Sequence, residues 1–285
     1  MSLSNPLDSR LQLGAELRRL RKAKGMTMRE VADFLDCSEP RISRLETGKL
    51  TGATLKAGEL RRLATLFDVQ GQGAVDELLH LLSETEQTAW WEPYEDVLPS
   101  GMDSLLGLQT AATHERALET VLVHGLLQTS AYARAVLEEV GIHSPSAIDR
   151  LVALRARRPE VLHRTPNPLE LEVLLDEAVL RRPVGGRDVM RAQLEAIARA
   201  TELPNVTVLV VPSERGAHAG LSGAFSLIAA GDQNPVAYVD SPAGNLLLHK
   251  DRDVEQLTGI YNRVRAKALD EDGTLRFITR VIEET

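Results

Sequence analysis

The sequence predicts two domains of unlike class: an N-terminal all-helical bundle of about five helices, and a larger α+β domain whose small, mainly antiparallel sheet is flanked by helices. Three observations carry this reading. Residues 27–48, TMREVADFLDCSEPRISRLETG, repeat apolar side chains at helical spacing on both sides of a short polar break. From residue 168 onward the texture changes to short β-branched runs bounded by Pro or Gly, such as Val206 to Val211 between Pro204 and Pro212. Charge divides the chain in the same way: residues 1–70 hold 13 Lys+Arg and 9 Asp+Glu, a net of +4, whereas the whole chain carries −8. At 285 residues and 43% apolar content, each part is long enough to bury a core of its own.

Within the first part, Val31, Ala32 and Leu35 form one apolar face, and Ile42 and Leu45 repeat it after Asp36-Cys37-Ser38. Ser38 stands at an N-cap position, and Pro40 is tolerated early in the second helix because the first-turn amides lack intrahelical acceptors. That helix is predicted to start at Glu39 and to stop at Gly48. With Ile42 and Leu45 inward, Glu39, Arg41, Ser43 and Arg44 face out. Such a helix pair reads DNA when the start of its second helix enters the major groove, where arginine can take guanine in a bidentate pair. Arg41 and Arg44 are the best candidates for that role. Leu55 to Phe67 and Ala74 to Leu82 supply two more helices.

Leu13-Gly-Ala-Glu-Leu-Arg-Arg-Leu-Arg, Gly25-Met-Thr-Met-Arg-Glu-Val-Ala and Ser38 to Gly48 resemble the Cro/phage-repressor (XRE) type of helix-turn-helix regulator over residues 11–70. The resemblance implies DNA contacts from Thr27, Met28, Arg29, Ser38, Glu39, Pro40, Arg41, Ser43, Arg44 and Lys49, and a structural pair between Arg21 and Glu46. Two positions depart from the family pattern. Asp36 replaces the usual turn glycine and can take a left-handed backbone at modest cost. Pro40 stands where the family often has a base-reading amide, which shifts readout onto the two arginines.

Trp90-Trp91-Glu-Pro-Tyr94 and Pro99-Ser-Gly101 mark a hinge with an aromatic anchor, giving domains at 1–83 and 103–285 joined by a linker at 84–102. Burial of the two tryptophans between domains is favoured over stacking on a ligand, because large aromatics dominate interface energetics. Residues 103–163 are helical in pattern: Leu105 to Val121, Ser130 to Val140, and Ile148 to Val161. The basic run Arg155, Arg157 and Arg158 could bind an anion. A solvated face paired with local acids is the favoured reading, since no glycine-rich phosphate loop accompanies it. Strands are predicted at Leu169 to Leu175, leading into Asp176 to Arg182, and at Val206 to Val211, Ala224 to Ala229, Val236 to Val239 and Asn245 to Lys250; helices are predicted at Val189 to Thr201 and Val254 to Leu269. Short connections such as Gly231 to Pro235 favour antiparallel neighbours.

Gly125-Leu-Leu-Gln-Thr-Ser-Ala-Tyr-Ala-Arg134, Leu175-Asp-Glu-Ala-Val-Leu-Arg-Arg182, Pro204-Asn-Val-Thr-Val and Gly220-Leu-Ser-Gly-Ala-Phe225 resemble the uncharacterised C-terminal domain of actinobacterial WhiJ-like regulators. This implies a transcriptional regulator, often encoded beside a small partner protein and in some cases antitoxin-like. His124 departs from the proline usual in that family.

Several functions are disfavoured. Ser222, His218 and Asp240 have the residue types of a nucleophilic triad, but Gly220-Leu-Ser-Gly lacks the glycine spacing of a nucleophile elbow, so no catalytic residue is assigned. Seven dispersed histidines and the single Cys37 offer no metal-ligand spacing, and no metal or cofactor is expected. Cys37 next to a helix start invites a redox reading, but a small turn residue is the favoured one. No apolar run reaches the roughly 18 residues that span a bilayer, and no hydrophobic signal core opens the chain, so a cytoplasmic protein without a membrane partner is expected. Arg215 to Gly223, with Arg215, His218 and Ser222, is the candidate ligand or partner loop.

One helix-turn-helix touches few base pairs, so two half-sites held by a homodimer on a pseudo-palindromic operator are expected. Two functional readings remain. In one, the C-terminal domain dimerises and receives a small-molecule or protein signal. In the other, it is an antitoxin-like module that binds a small partner protein, with DNA binding as autoregulation.

Overall fold

A computed structural model describes residues 6–47, 55–69, 71–85, 90–141, 144–231, 234–240 and 245–285. The chain divides into two units, Met1–Glu92 and Pro93–Thr285. The first is all-helical: α1 (Pro6–Ala23), α2 (Met28–Leu35), α3 (Glu39–Glu46), α4 (Ala57–Leu66) and α5 (Gln72–Thr85). Its core joins Leu13 and Leu17 of α1 to Val31, Ala32 and Leu35 of α2, Ile42 and Leu45 of α3, and Leu60 and Leu63 of α4. α1 and α3 approach so closely that a Cβ on Gly14 would lie 2.5 Å from the Leu45 carbonyl oxygen.

The second unit is α+β. It contains α6 (Met102–Ala111), β1 (His114–Glu119), α7 (Ser130–Val140), α8 (Pro145–Arg157), β2 (Glu170–Asp176), α9 (Glu177–Arg181), α10 (Arg187–Ala200), β3 (Val206–Val211), β4 (Phe225–Ala229), β5 (Val236–Val239), β6 (Leu246–Leu248), α11 (Asp251–Arg265) and α12 (Glu271–Glu284). The six strands lie in the order β3-β2-β1-β4-β5-β6. Pairings of β5 with β4 and β6 with β5 are antiparallel, as the short connections predict, and β4 is also antiparallel to β1. β1-β2 and β2-β3 are parallel, joined through helices as parallel neighbours must be.

Alternation divides the sheet into two faces. Leu118, Leu174, Leu209, Val211, Phe225, Leu227 and Ala237 point to one side and pack with Val254, Tyr261 and Val264 of α11. The other face carries Glu115, Ala117 and Glu119 of β1, whose register neighbours are Val173 and Leu175 on β2 and Ser226 on β4.

The expected helix over Leu105 to Val121 is corrected. α6 ends at Ala111, and residues 114–119 form β1, in the middle of the sheet. His-Glu-Arg-Ala-Leu-Glu is a strong helix former, but pairing on both sides with β2 and β4 overrides that preference. The break before it is held from outside, where Arg164 donates to the carbonyls of Thr110 and Ala112. α12 lies beyond the last predicted helix, with Asp270 accepting from the Gly273 amide as its cap.

Candidate nucleic-acid interface

Thr27 starts α2 with a reciprocal cap: the Glu30 amide donates to its Oγ1 at 3.2 Å, and the Thr27 amide donates to Glu30 Oε2 at 2.7 Å. Asp36 closes α2 in a left-handed conformation, φ 54° and ψ 51°, and turns the chain into α3. The expected side-chain cap at Ser38 is corrected. Ser38 occupies the N-cap position, but its hydroxyl accepts no backbone amide. Pro40 in the first turn reduces the number of amides that need one.

α3 presents Ser38, Glu39, Pro40 and Arg44 to solvent, with Arg41 and Ser43 half-buried and Ile42 and Leu45 inward. On α2, Arg29 is exposed, while Met28 packs partly against the core. Lys49 and Gly48 lie outside the described residues. Cys37 is half-buried against the same core, with Sγ 3.8 Å from the Ser38 carbonyl.

Arg21 and Glu46 form a buried ion pair. Nη2 donates to Oε2 at 2.7 Å, Nε donates to Oε1, and Nη1 reaches the Met26 carbonyl at 2.7 Å. The guanidinium thus joins the end of α1, the start of the α2 turn and the end of α3, which fixes the recognition helix from behind.

Arg41 is not free. Its Nη1 and Nη2 donate to the two carboxylate oxygens of Glu59 at 3.0 Å each, and Glu59 also accepts from the Lys56 amide at the start of α4. Sequence reasoning missed Glu59, which is 18 positions away and reads as an ordinary first-turn acid on α4. Arg44, by contrast, has no ion pair among the described residues. Arg62 of α4 donates to the Phe34 carbonyl at 2.7 Å and covers the Phe34 ring at 5.0 Å, a second strap between α4 and the reader helices.

In the second unit the loop residues Arg215, His218 and Ser222 do not converge. Arg215 and Ser222 are exposed, while His218 Nε2 lies 3.0 Å from Asp176 Oδ2 at the end of β2. Lys267 pins the loop by donating to the Ala217 carbonyl at 2.7 Å. His124 is buried. Its Nε2 is 3.2 Å from Glu115 Oε1, and its Nδ1 accepts from the Leu126 amide at 3.4 Å. Burial opposes its charge, but the Glu115 carboxylate outweighs that and raises its pKa. Burial would likewise raise Glu115, yet His124, Gln109 and Ser226 together lower it.

The basic run is the clearest departure from expectation. Arg157 stays at the surface near Glu160, but Arg158 is only 5% exposed and Arg155 is half-buried, so these two are not a solvated face. A groove of about 640 Å³ on the other sheet face is lined by His114, Glu172, Tyr261 and Arg265, whose charged groups pair with neighbours: Glu172 with Arg265, and His114 with Glu170. Among the described residues no cluster of His, Cys, Asp or Glu could hold a metal ion, and no helix is long and apolar enough to cross a membrane.

The geometry of α2 and α3 defines the class, and residues 12–78 match a helix-turn-helix domain model. A DNA-binding regulator is what that domain indicates. Residues 102–280 match the model described as a domain of unknown function (DUF5753), and the chain belongs to that family. Searches of curated proteins and of solved structures gave no match to the chain.

Proposed function

We propose that the protein is a sequence-specific transcriptional regulator of the Cro/phage-repressor kind, with the C-terminal domain of WhiJ-like regulators. The observation that carries this reading is the outer edge of α3, where Arg44 stands exposed and without an ion pair among the described residues, within a segment of net charge +4. A positive module on an otherwise acidic chain confines contact with the DNA phosphate backbone to that module. Arg44 and Arg41 read bases. Thr27, Met28 and Arg29 at the start of α2, the residues Ser38, Glu39, Pro40 and Ser43 around the start of α3, and Lys49 set the register on the backbone.

Residues 1–83 read DNA, 84–102 link, and 103–285 dimerise and receive a signal, so the operator is a pseudo-palindrome with half-sites about one helical turn apart. The protein acts in the cytoplasm. Footprinting on the promoter of its own or an adjacent gene tests the reading. The expected result is a protected pseudo-palindrome, weakened by about 1–3 kcal/mol with altered base preference in Arg44→Ala. No protected site at low salt overturns it. Sedimentation of the free protein should give a dimer, and a monomer that also binds a single half-site overturns the dimeric part.

A further inference from the structure

Register gives the second face of the sheet an unusual composition. Glu115 and Glu119 of β1 flank Ala117, which pairs with Ser226 of β4, and Ser226 pairs with Tyr238 of β5. Buried polar groups are expected to have partners, so each of these can be followed to its own. Glu115 is satisfied by His124 and by Gln109 Nε2 at 2.9 Å. Gln109 Oε1 in turn accepts from Arg158 Nε and Nη2, at 3.3 and 2.9 Å.

There the network stops. Arg158 is 95% buried, yet it has only this neutral amide as a partner and no carboxylate within ion-pair distance among the described residues. Arg155, one turn earlier, donates to Gln128 Oε1 at 3.2 Å and has no other hydrogen-bond partner among the described residues. The Tyr238 hydroxyl is fully buried with no partner, and Glu119 makes no hydrogen bond or ion pair among the described residues.

These groups share one neighbourhood. Burial, with Arg158 beside it, pushes the Arg155 guanidinium down to about 10, and burial pushes Glu119 up to about 7. Tyr238 and Glu119 both lie within electrostatic reach of Arg158. The place is one face of β1, the central strand, between Glu115 and Glu119, with β2 on one side and β4 on the other. Gly125, just after β1, lets the Arg158 head lie against the backbone, since a Cβ there would be 2.6 Å from Nη1. A guanidinium held this rigidly, with Glu115, Glu119 and Asp240 in electrostatic reach but no carboxylate paired with it among the described residues, is a preorganised receptor.

We propose that the second unit binds a small organic anion, through a carboxylate or phosphate group held by Arg155 and Arg158 with the Tyr238 hydroxyl as a third donor. Arg155 and Glu119 are only half-buried, so solvent reaches the layer through them. The inference deepens the signal-receiving half of the proposed function and rests on it. It is tested without DNA, so that its failure leaves the regulator reading standing, while a failed footprint leaves the anion site standing.

The full chain is titrated with sodium phosphate and with sodium succinate at matched ionic strength, followed by thermal midpoint and by calorimetry. At about 10 mM, at least one probe should raise the midpoint by a few degrees. Arg155→Gln should weaken that probe at least about tenfold, the loss expected for one charge-assisted contact. Tyr238→Phe should raise the midpoint of the unliganded protein, because it removes an orphaned hydroxyl, and still weaken the probe several-fold. A merely structural tyrosine would not give that opposed pair of effects. A response to phosphate alone marks a phosphorylated ligand, and a response to succinate alone marks a carboxylate. No response to either, or a response that Arg155→Gln and Tyr238→Phe leave unchanged, overturns the proposal.

Discussion

An arginine that reads a base has to leave whatever holds it in the unbound protein. Arg41 is held by both oxygens of Glu59, whereas Arg44 has no ion pair among the described residues. If Arg41 reads guanine as proposed, the base competes with a carboxylate for it, and that carboxylate repels the phosphate backbone. Three outcomes follow in a binding titration on the operator. Arg44→Ala costs more affinity than Arg41→Ala, the first by about 1–3 kcal/mol. Glu59→Gln tightens binding by a few-fold, with the gain largest at low salt, where the removed repulsion is least screened. If Glu59→Gln instead weakens binding as much as Arg41→Ala does, Glu59 is a positioning partner and not a competitor.

At the scale of elements, much was legible because periodicity and punctuation act locally. α7, β3 and β5 match their predicted spans and α3 starts at its predicted Glu39, because caps, β-branched runs and flanking Gly or Pro act within a few residues. β1 was not legible. Its residues favour a helix, and only the neighbours on both sides make it a strand, a pairing that depends on residues 56 to 115 positions away. For the same reason Glu59 and the polar layer around Arg158 were invisible: each is a contact between elements, and no spacing rule encodes it. Two changes test the local logic of the reader helices. Asp36→Gly should raise the stability of the first unit by about 0.5–1 kcal/mol, because glycine takes the left-handed turn without the penalty of a side chain. Gly14→Ala should cost about 1–3 kcal/mol and abolish DNA binding, because the added Cβ pushes α1 off the Leu45 carbonyl and so displaces α3. Thermal melts with operator binding check both, and a neutral Gly14→Ala would mean that the α1–α3 approach is not required.

For the whole molecule, the charge division seen in the sequence becomes a division of titration behaviour. In the first unit the hydrogen bond to Glu46 holds the buried Arg21 guanidinium above its ordinary range, so it stays charged. The second unit holds groups poised near neutrality. Burial raises Glu119 to about 7, helped by Glu115 and Asp240 and opposed by His124 and Arg158. A carboxyl group whose folded pKa lies above its unfolded value takes up a proton on folding, so its contribution is complete at low pH and is lost as pH rises through about 7. His124, also raised, acts in the same direction: its contribution is present below its unfolded pKa and disappears as pH rises through the folded one. Glu115, held below the ordinary carboxylate range, acts oppositely, and its contribution is lost only as pH falls into the acid range. The second unit should therefore be most stable at mildly acidic pH and lose up to about 3 kcal/mol by about pH 8. Hydrogen exchange at the β1 amides, corrected for the intrinsic pH dependence, reads the second unit alone. In Glu119→Gln, which cannot ionise, the loss between about pH 5.5 and 8 should fall to less than about half, leaving the share that belongs to His124. An unchanged slope in that variant would mean that Glu119 ionises in the folded protein as it does in the unfolded chain, and that the polar layer is wetter than its burial implies.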